Sequence, residues 1–322
     1  MSDFAAINEL VAFLRAKVDR SRLEQHLQNH PTLDLAGSCR DGATVIHWAA
    51  MLGRLDDMRW LIERGAPADI AVAASGMQPI HWACTTGQQK CVQSLIELSS
   101  VDSNALDRKR TPPLMIAVQY GHVSLVEYLL RRGADPSMVD EDGDSALHWA
   151  AYKNRDDCLE RLASSSAGFE VAADSFGSTP LHLAASQGSC RAMAWLLRCP
   201  KVAVALAMKD KRGRTPLEVA TQRDGHAIRR MLEAHAEGRS LDADDFGLQL
   251  PPMDMWLRDA GSWMHGLSMQ LSERVWSVEA GGGAAAAAGT RADEEAAAAA
   301  GRPIPGRVLE MVPVSDDGGE LI

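Results

Sequence analysis

The sequence is poor in aromatic residues, has no excess of positive charge and contains no long apolar run. Aromatic residues make up 5% of the 322 residues, and half of them are Trp. The net charge of −10 argues against a nucleic-acid-binding surface, which requires a concentration of Lys and Arg. Because no stretch of about 18 uncharged apolar residues occurs, the sequence predicts no membrane-spanning helix.

The six Cys form no Cys-x-x-Cys pair and no regular framework. We therefore interpret them as reduced intracellular thiols, several of them buried. The first residues, Met1 to Phe4, lack the basic and apolar regions of a secretory signal. These features favour a cytoplasmic location.

One motif recurs six times at nearly constant spacing. The position of its fourth residue is held by His47, His81, Met115, His148, His182 and Glu218. Thr or Ser opens most copies and is a preferred residue before the first turn of a helix. Pro follows in four copies, at the first helical position, where its missing N–H costs nothing. The motif therefore predicts the start of a short helix in each repeat.

The spacing also predicts where this helix ends and where a second helix is buried. Six residues after the motif position, five copies carry a residue suited to the left-handed conformation of a helix end, namely Gly53, Gly87, Gly121, Asn154 and Gly188. In the sixth copy Asp224 stands there, and Gly225 follows. Fourteen residues after the motif position, every copy has Leu, which predicts the buried face of a second helix: Leu61, Leu95, Leu129, Leu162, Leu196 and Leu232.

We predict an all-α fold with an N-terminal capping helix pair over residues 1–39 and six repeats over residues 40–237. The repeats span about 41–73, 74–106, 107–139, 140–173, 174–209 and 210–237. A linker and a Trp-bearing amphipathic helix follow at 238–278, and an Ala/Gly-rich linker with a disordered tail completes the chain at 279–322. The capping pair would present a polar face at one end of the stack, where no neighbour covers it.

A period near 33 residues with a Thr-Pro-Leu-His-x-Ala pattern resembles the ankyrin repeat. This resemblance implies a solenoid of helix pairs with projecting hairpin loops. The order of the variants resembles the cytosolic ankyrin block of the ankyrin-bearing DHHC palmitoyltransferases over roughly residues 40–235. The residues that carry it are Ile46 to Ala50, Ile80 to Ala83, Ala117 to His122 and Leu147 to Lys153.

In the palmitoyltransferase family, the ankyrin block recruits substrate proteins, and a separate membrane domain with an Asp-His-His-Cys segment transfers the acyl group. No Asp-His-His-Cys segment occurs in this chain, so the resemblance supplies no catalytic residue. The sequence is therefore interpreted as non-catalytic, either as a free-standing relative or as a part of a longer enzyme.

The residues that could suggest a metal site or a catalytic site are better interpreted as structural. The four motif His recur along a stack, about 10 Å apart, instead of converging on one site. We expect each imidazole to bond neighbouring backbone and so to tie adjacent repeats together. Trp48, Trp82 and Trp149 share their slot with Ile116 and Leu183, which favours packing over an aromatic cage. Ser145 beside His148 is a helix cap and not a hydrolase nucleophile. The sequence predicts no metal site and no cofactor.

The hairpin loops between repeats are the predicted contact sites for a partner protein. Their charges alternate in sign along the stack, and such a pattern can match the charges of a partner. Phe176 is the strongest candidate, because an aromatic side chain at a loop tip is expected to have little structural role. Solvated loops without a function are the alternative. The predicted partner-binding residues are Arg108, Lys109, Arg110, Asp142, Phe176, Lys211 and Arg212.

The Trp-bearing segment near the end of the chain follows helical spacing. We expect this helix to cover the last repeat or to lie in a partner groove. Weak peripheral contact with the cytosolic face of a membrane is the alternative, and its mixed charges argue against strong attraction. The residues concerned are Trp256, Trp263, Leu267 and Trp276.

The sequence thus predicts a protein-binding scaffold that contacts other proteins through the concave repeat surface and the loop tips. The alternative is the substrate-recruiting part of a protein S-palmitoyltransferase. The pattern leaves the partner's identity and the oligomeric state open, since one scaffold of this kind serves many unrelated partners.

Overall fold

A short helix begins at each copy of the motif. The structure is a computed structural model, and it describes residues 3–164, 172–199, 204–221 and 226–239. Of these, residues 3–232 belong to one unit and residues 233–239 to a second. The helices that start at the motif, here called first helices, are α3 (Val45–Met51), α5 (Pro79–Thr85), α7 (Pro113–Tyr120), α9 (Ala146–Tyr152), α11 (Pro180–Gln187) and α13 (Pro216–Thr221).

A second helix follows each first helix, and one further pair precedes the repeats. That pair is α1 (Asp3–Arg15) and α2 (Arg20–Asn29). The described ranges contain these fourteen helices and no β-strand, so the predicted all-α repeat fold is confirmed. The second helices are α4 (Leu55–Glu63), α6 (Gln89–Ser99), α8 (Val123–Arg131), α10 (Asp156–Ser164), α12 (Cys190–Arg198) and α14 (His226–Ala236).

The motif His closes the first turn of its own helix. In α3, the ring Nδ1 of His47 accepts hydrogen bonds from the backbone N–H of Thr44, at 3.2 Å, and from its hydroxyl, at 2.9 Å. α5, α9 and α11 have the same reciprocal arrangement between the capping residue and the His three positions later. It is the capping box, with imidazole in the place that Glu or Gln usually takes.

The same imidazole reaches the segment that leads into the next repeat. Since Nδ1 accepts hydrogen bonds, the proton of the neutral ring lies on Nε2, which is therefore a donor. In each case Nε2 donates to a buried or half-buried backbone carbonyl 24 to 32 residues further along the chain. The predicted tie between adjacent repeats is confirmed for His47 to Met77 at 3.0 Å, His148 to Ser178 at 3.2 Å and His182 to Arg214 at 2.9 Å. His81 donates to Ala105 at 3.0 Å, two residues before the predicted start of repeat three.

Two repeats carry another residue at the motif position. In repeat three the residue before α7 is Pro112, which has neither an N–H nor a hydroxyl to offer to an imidazole. The motif position there is Met115, a buried apolar residue. In repeat six, exposed Glu218 takes the place of the imidazole and accepts from the N–H of Thr215 at 2.7 Å, which keeps the capping box.

The turn between the two helices of a repeat needs a residue in the left-handed conformation, and a side chain of the next repeat can approach it closely. Gly87 has a φ of +69°, and a Cβ on it would come within 2.6 Å of the His122 ring from the next repeat. Asn154 takes the equivalent place with a φ of +57°, and its side-chain oxygen accepts the N–H of Ala192 at 3.0 Å. The predicted helix ends are confirmed at all five positions. Asp224 lies outside the described residues.

The second helices bury the apolar face that the spacing predicted. The six Leu at this position are 0 to 3% exposed. The first five lie in α4, α6, α8, α10 and α12, each of which packs against its own first helix and against the second helix of a neighbouring repeat. This arrangement is the continuous core of a stacked repeat protein.

Arg54 joins the N-terminal helix pair to repeat one. Its guanidinium donates to the carbonyls of Leu14 at 3.1 Å and of Val18 at 2.7 Å, at the end of α1, and also pairs with Asp57. Leu27, which lies 34 residues before Leu61, is only half-buried, whereas Leu23 is fully buried.

The predicted Trp-bearing helix and tail lie outside the described residues, apart from residues 238 and 239. Trp256, Trp263, Leu267 and Trp276 are therefore not placed by the structure. The boundaries between the predicted domains stay predictions.

Acidification is expected to destabilise this fold. Burial lowers the pKa of His47 from 6.5 to about 4, so the folded state keeps the ring neutral. Between these values the unfolded chain binds a proton that the folded chain does not, and the free energy of unfolding falls as the pH falls. His47 alone should account for a loss on the order of 3 kcal/mol when the pH drops below 4. Urea denaturation followed by circular dichroism across this pH range measures the loss.

Two substitutions separate this effect from the titration of carboxylates. His47→Gln removes the buried imidazole, and His226→Gln removes an exposed one at the start of α14. The stability of His47→Gln should depend less on pH than that of His226→Gln. The same pH dependence in both variants would show that the buried ring is not the source.

Candidate functional site

Four hairpin loops are built on one Asp each, eight residues before the motif position. The Oδ1 of Asp107, Asp140, Asp174 and Asp210 accepts the backbone N–H groups two and four residues later, at 2.7 to 3.0 Å. Carboxylates of this kind fix the turn locally. The three residues that follow each Asp differ between repeats and are here called the loop tips: residues 108–110, 141–143, 175–177 and 211–213.

Neighbouring loop tips are joined by backbone hydrogen bonds. Each N–H comes from the first tip residue of one repeat, and each carbonyl comes from the preceding repeat. All four distances are 2.9 Å. We call this series the tip ladder, and it consists of Arg108 to Ser75, Glu141 to Lys109, Ser175 to Asp142 and Lys211 to Phe176.

The tip ladder brings the predicted site residues into one row. Arg108, Arg110, Lys211 and Arg212 are exposed, and Lys109, Asp142 and Phe176 are half-buried. Arg110 adopts a left-handed φ of +60° at the end of its tip. Along the row the tips are basic in repeat three, acidic in repeat four, aromatic in repeat five and basic in repeat six.

Phe176 has a larger structural role than the sequence suggested. Its N–H donates to Asp174 at 2.8 Å and its carbonyl accepts from Lys211 at 2.9 Å, so its backbone is a step of the tip ladder. Its side chain is half-buried. The ring therefore occupies a fixed place in the row, as a preorganised contact residue should.

Glu141 belongs to the same row and was missed from the sequence. It is exposed, and its N–H is the donor of a ladder bond. Together with Asp142 it makes the tip of repeat four doubly acidic. The signal that could have found it is its position directly after Asp140, which matches that of Arg108 after Asp107.

The loop of repeat four has an additional buried bond. The indole N–H of Trp149 donates to the second carboxylate oxygen of Asp140 at 3.0 Å. Burial raises the pKa of the Asp140 carboxyl, and its hydrogen bonds with Trp149, Asp144 and Asp142 oppose that rise. Within the described ranges, the indole N–H groups of Trp48 and Trp82 are buried without a hydrogen-bond partner. Their repeats have no Asp at the position of Asp140.

The pKa of the Asp210 carboxyl is shifted in the opposite direction. Burial acts to raise its pKa, but hydrogen bonds from Arg214 and the charge of that guanidinium outweigh burial and hold the pKa below its usual value. The two loops share one backbone plan yet differ in charge balance, because repeat six carries Arg214 and repeat four carries Trp149. The loop plan thus tolerates different partners for the second carboxylate oxygen.

The remaining candidate chemistry is structural where the structure describes it. Ser145 Oγ lies 2.9 Å from His148 Nδ1, as Thr44 does from His47, so the pair is a capping box whose Nε2 is already bonded to Ser178. Burial raises the pKa of the Cys158 thiol to about 12 and that of Cys91 to about 11, which leaves both as unreactive thiols at neutral pH. No group of three metal-binding side chains occurs among the described residues.

Comparison with known proteins identifies the repeat. A family model described as ankyrin repeats (3 copies) matches residues 4–107, 96–173 and 114–205. Neurogenic locus notch homolog protein 1 of Xenopus tropicalis is 34% identical to this chain over 145 residues, which make up 45% of this chain and 6% of that protein. The proteins of the same name from Danio rerio and Homo sapiens are each 33% identical, over 144 and 145 residues, with the same shares covered. The chain therefore spans a small part of these relatives' length.

Membrane insertion finds no support in the described part of the chain, where no helix has both the length and the apolar character needed to cross a bilayer. The resemblance to ankyrin-bearing palmitoyltransferases stays a prediction.

Removing Asp140 should destabilise the fold more than removing Asp107. Both accept two backbone N–H groups, but Asp140 also accepts the buried indole N–H of Trp149. A buried donor without its acceptor costs about 1–3 kcal/mol, so Asp140→Ala should cost roughly 1 kcal/mol more than Asp107→Ala. Chemical denaturation of the two variants measures the difference.

A double-mutant cycle assigns this difference to one bond. Trp149→Phe should be clearly destabilising in the unmodified chain and much less so in the Asp140→Ala background. Equal costs in both backgrounds would mean that the indole and the carboxylate do not stabilise each other.

Proposed function

Because this chain belongs to the ankyrin-repeat family, we propose that it is a non-catalytic scaffold that binds a partner protein through its loop tips and the adjoining surface of its first helices. The observation that carries this proposal is that, in the four hairpins built on Asp, different groups hold the loop and form its tip. Backbone groups and one Asp hold the loop, and the tip side chains are not needed for that purpose. A rigid row of variable side chains is suited to recognition.

The charges of the tips are available to a partner. The described residues contain no ion pair that involves Arg108, Lys109 or Arg110, and Arg108 and Arg110 are exposed. Charged rows of this kind contribute orientation and association rate more than affinity. Affinity usually depends on a few aromatic or Arg residues, and Phe176 and Arg110 are of those types.

The cysteines agree with a cytoplasmic location, which is part of the proposal. All six are free thiols, and four of them are buried. A chain that works in an oxidising compartment more often pairs its cysteines. The partner is another protein, and binding requires no cofactor.

Substitution of the tips should remove partner binding without unfolding the chain. We expect Arg110→Glu combined with Phe176→Ala to reduce recovery of the specifically bound proteins at least tenfold, since each change removes one contact of the row. The measurement is affinity purification of the tagged full chain from cells, after chemical cross-linking, with quantitative mass spectrometry.

The matched control carries one charge reversal and one apolar truncation on a second helix. Lys90→Glu and Leu98→Ala change exposed residues of α6, away from the tips. This variant should retain the partners. If the tip variant retains all of them as well, the binding site has been placed on the wrong surface.

A second proposal is that the repeats recruit substrates for protein S-palmitoylation. It is supported by the recurrence of His-Trp-Ala at 47–49, 81–83 and 148–150 and by the run Ala150 to Lys153. The structure gives these residues packing and capping roles, so they indicate kinship and not chemistry. Sequencing full-length transcripts across the codon for Ile322 tests it. A downstream Asp-His-His-Cys segment with hydrophobic helices is expected, and a stop codon at that point would exclude a catalytic domain on the same chain.

A further inference from the structure

We propose that the loop tips of repeats three to six bind an extended partner segment in the polyproline II conformation, with side chains three residues apart facing successive tips. In the order of the tips, the facing side chains are acidic, basic, apolar and acidic. This inference rests on the proposed protein-binding function and specifies the conformation and chemistry of the ligand.

The tip ladder sets the distance between successive tips. Each step runs along one residue of the loop, such as Arg108 to Lys109, and then across one backbone hydrogen bond to the next loop. One residue advances about 3.8 Å between Cα atoms, and bonded backbones lie about 5 Å apart. The two lengths add to about 9 Å when they lie in line, which agrees with the 8–10 Å that separates packed helices.

Polyproline II is the extended conformation that matches this step. It rises about 3.1 Å per residue and completes a turn in three residues, so every third side chain points the same way at intervals of about 9 Å. A β-strand alternates its faces every residue, and its side chains on one face repeat at about 6.6 Å. An α-helix presents one face at about 10.5 Å per seven residues, which drifts from the tips by roughly 4 Å over three steps.

The tip side chains define the order of the facing residues. An acidic residue of the partner segment would face Arg108, Lys109 and Arg110. A basic residue would face Glu141 and Asp142. Phe176 offers an apolar contact. Lys211, exposed at the tip of repeat six, calls for a second acidic residue. Because the tips of repeats three and four have opposite charge, a segment shifted by one repeat in either direction places a like charge against one of them, and this repulsion gives the site its register.

Synthetic peptides test the register directly. The probe is a fluorescein-labelled Pro-rich peptide with Glu, Lys, Leu and Glu at every third position, made in both chain directions. Two comparison peptides are used. One has the same four residues at every fourth position, and the other has them seven residues apart in a helical Ala-rich sequence. Fluorescence anisotropy with the full chain gives Kd values. One direction of the three-residue peptide should bind at least tenfold more tightly than either comparison peptide.

A charge exchange identifies the contact. Arg108→Glu with Arg110→Glu should weaken the peptide about tenfold, and exchanging Glu for Lys at the facing peptide position should restore the loss. Thermal unfolding confirms that the variant is folded, and Lys90→Glu with Lys17→Glu serves as the control with equal charge change. Four results would each overturn the inference. They are equal binding of the peptides with three- and four-residue spacing, tighter binding of the helical peptide, failure of the charge exchange to restore binding, and no binding at about 1 mM peptide.

These outcomes are distinguishable from failure of the proposed function. If the peptides do not bind but the Arg110→Glu and Phe176→Ala variant still loses its cellular partners, the tips bind proteins of a different shape. If neither experiment depends on the tips, the proposed binding surface itself is wrong.

Discussion

Hydrogen bonding at both nitrogens of a buried imidazole is the constraint on which four of the six repeats depend. Nδ1 accepts from the residue that caps its own helix, and Nε2 donates to the segment that leads into the next repeat. A protonated ring could not accept at Nδ1, and the other neutral tautomer could not donate at Nε2. The start of one helix and the position of the following repeat are therefore set by one side chain in one protonation state. Burial lowers the pKa of His47 to about 4 and so keeps its ring in the neutral state that these bonds need.

In four of the loops, the groups that stabilise the turn are distinct from the side chains that vary. Asp at the base of each of these four hairpins bonds two backbone N–H groups, and the tip ladder uses only backbone atoms. The residues between can be Arg-Lys-Arg or Glu-Asp-Gly without a change in the ladder. A row of tips can thus acquire a new charge order by substitution alone. This explains why the repeated residues mark the family and the unrepeated ones are the better candidates for binding.

Local features of the fold could be read from the sequence, and features that join distant residues could not. The helix ends at Gly87 and Asn154 and the buried Leu of the second helices follow from rules that act within one helix or turn. The bond between Trp149 and Asp140 required the fold of the hairpin, because eight residues of loop and helix lie between them. Repeat three has Met115 in place of His because Pro112 has no N–H for an imidazole to bond. This reason depends on the bond between the motif His and the capping N–H, which the sequence does not show. For the site, the charge order of the tips was visible, but their connection through backbone bonds was not.

The inter-repeat bonds give the stack a polarity. Every motif His donates toward the C-terminal neighbour, so the two faces of a repeat are chemically unequal. A cut after repeat one, four or five would leave an imidazole donor on the N-terminal fragment and a carbonyl acceptor on the C-terminal fragment. Two fragments with the same kind of end cannot satisfy each other, whereas complementary ends can. At these three places the histidines favour association of the repeats in their native order.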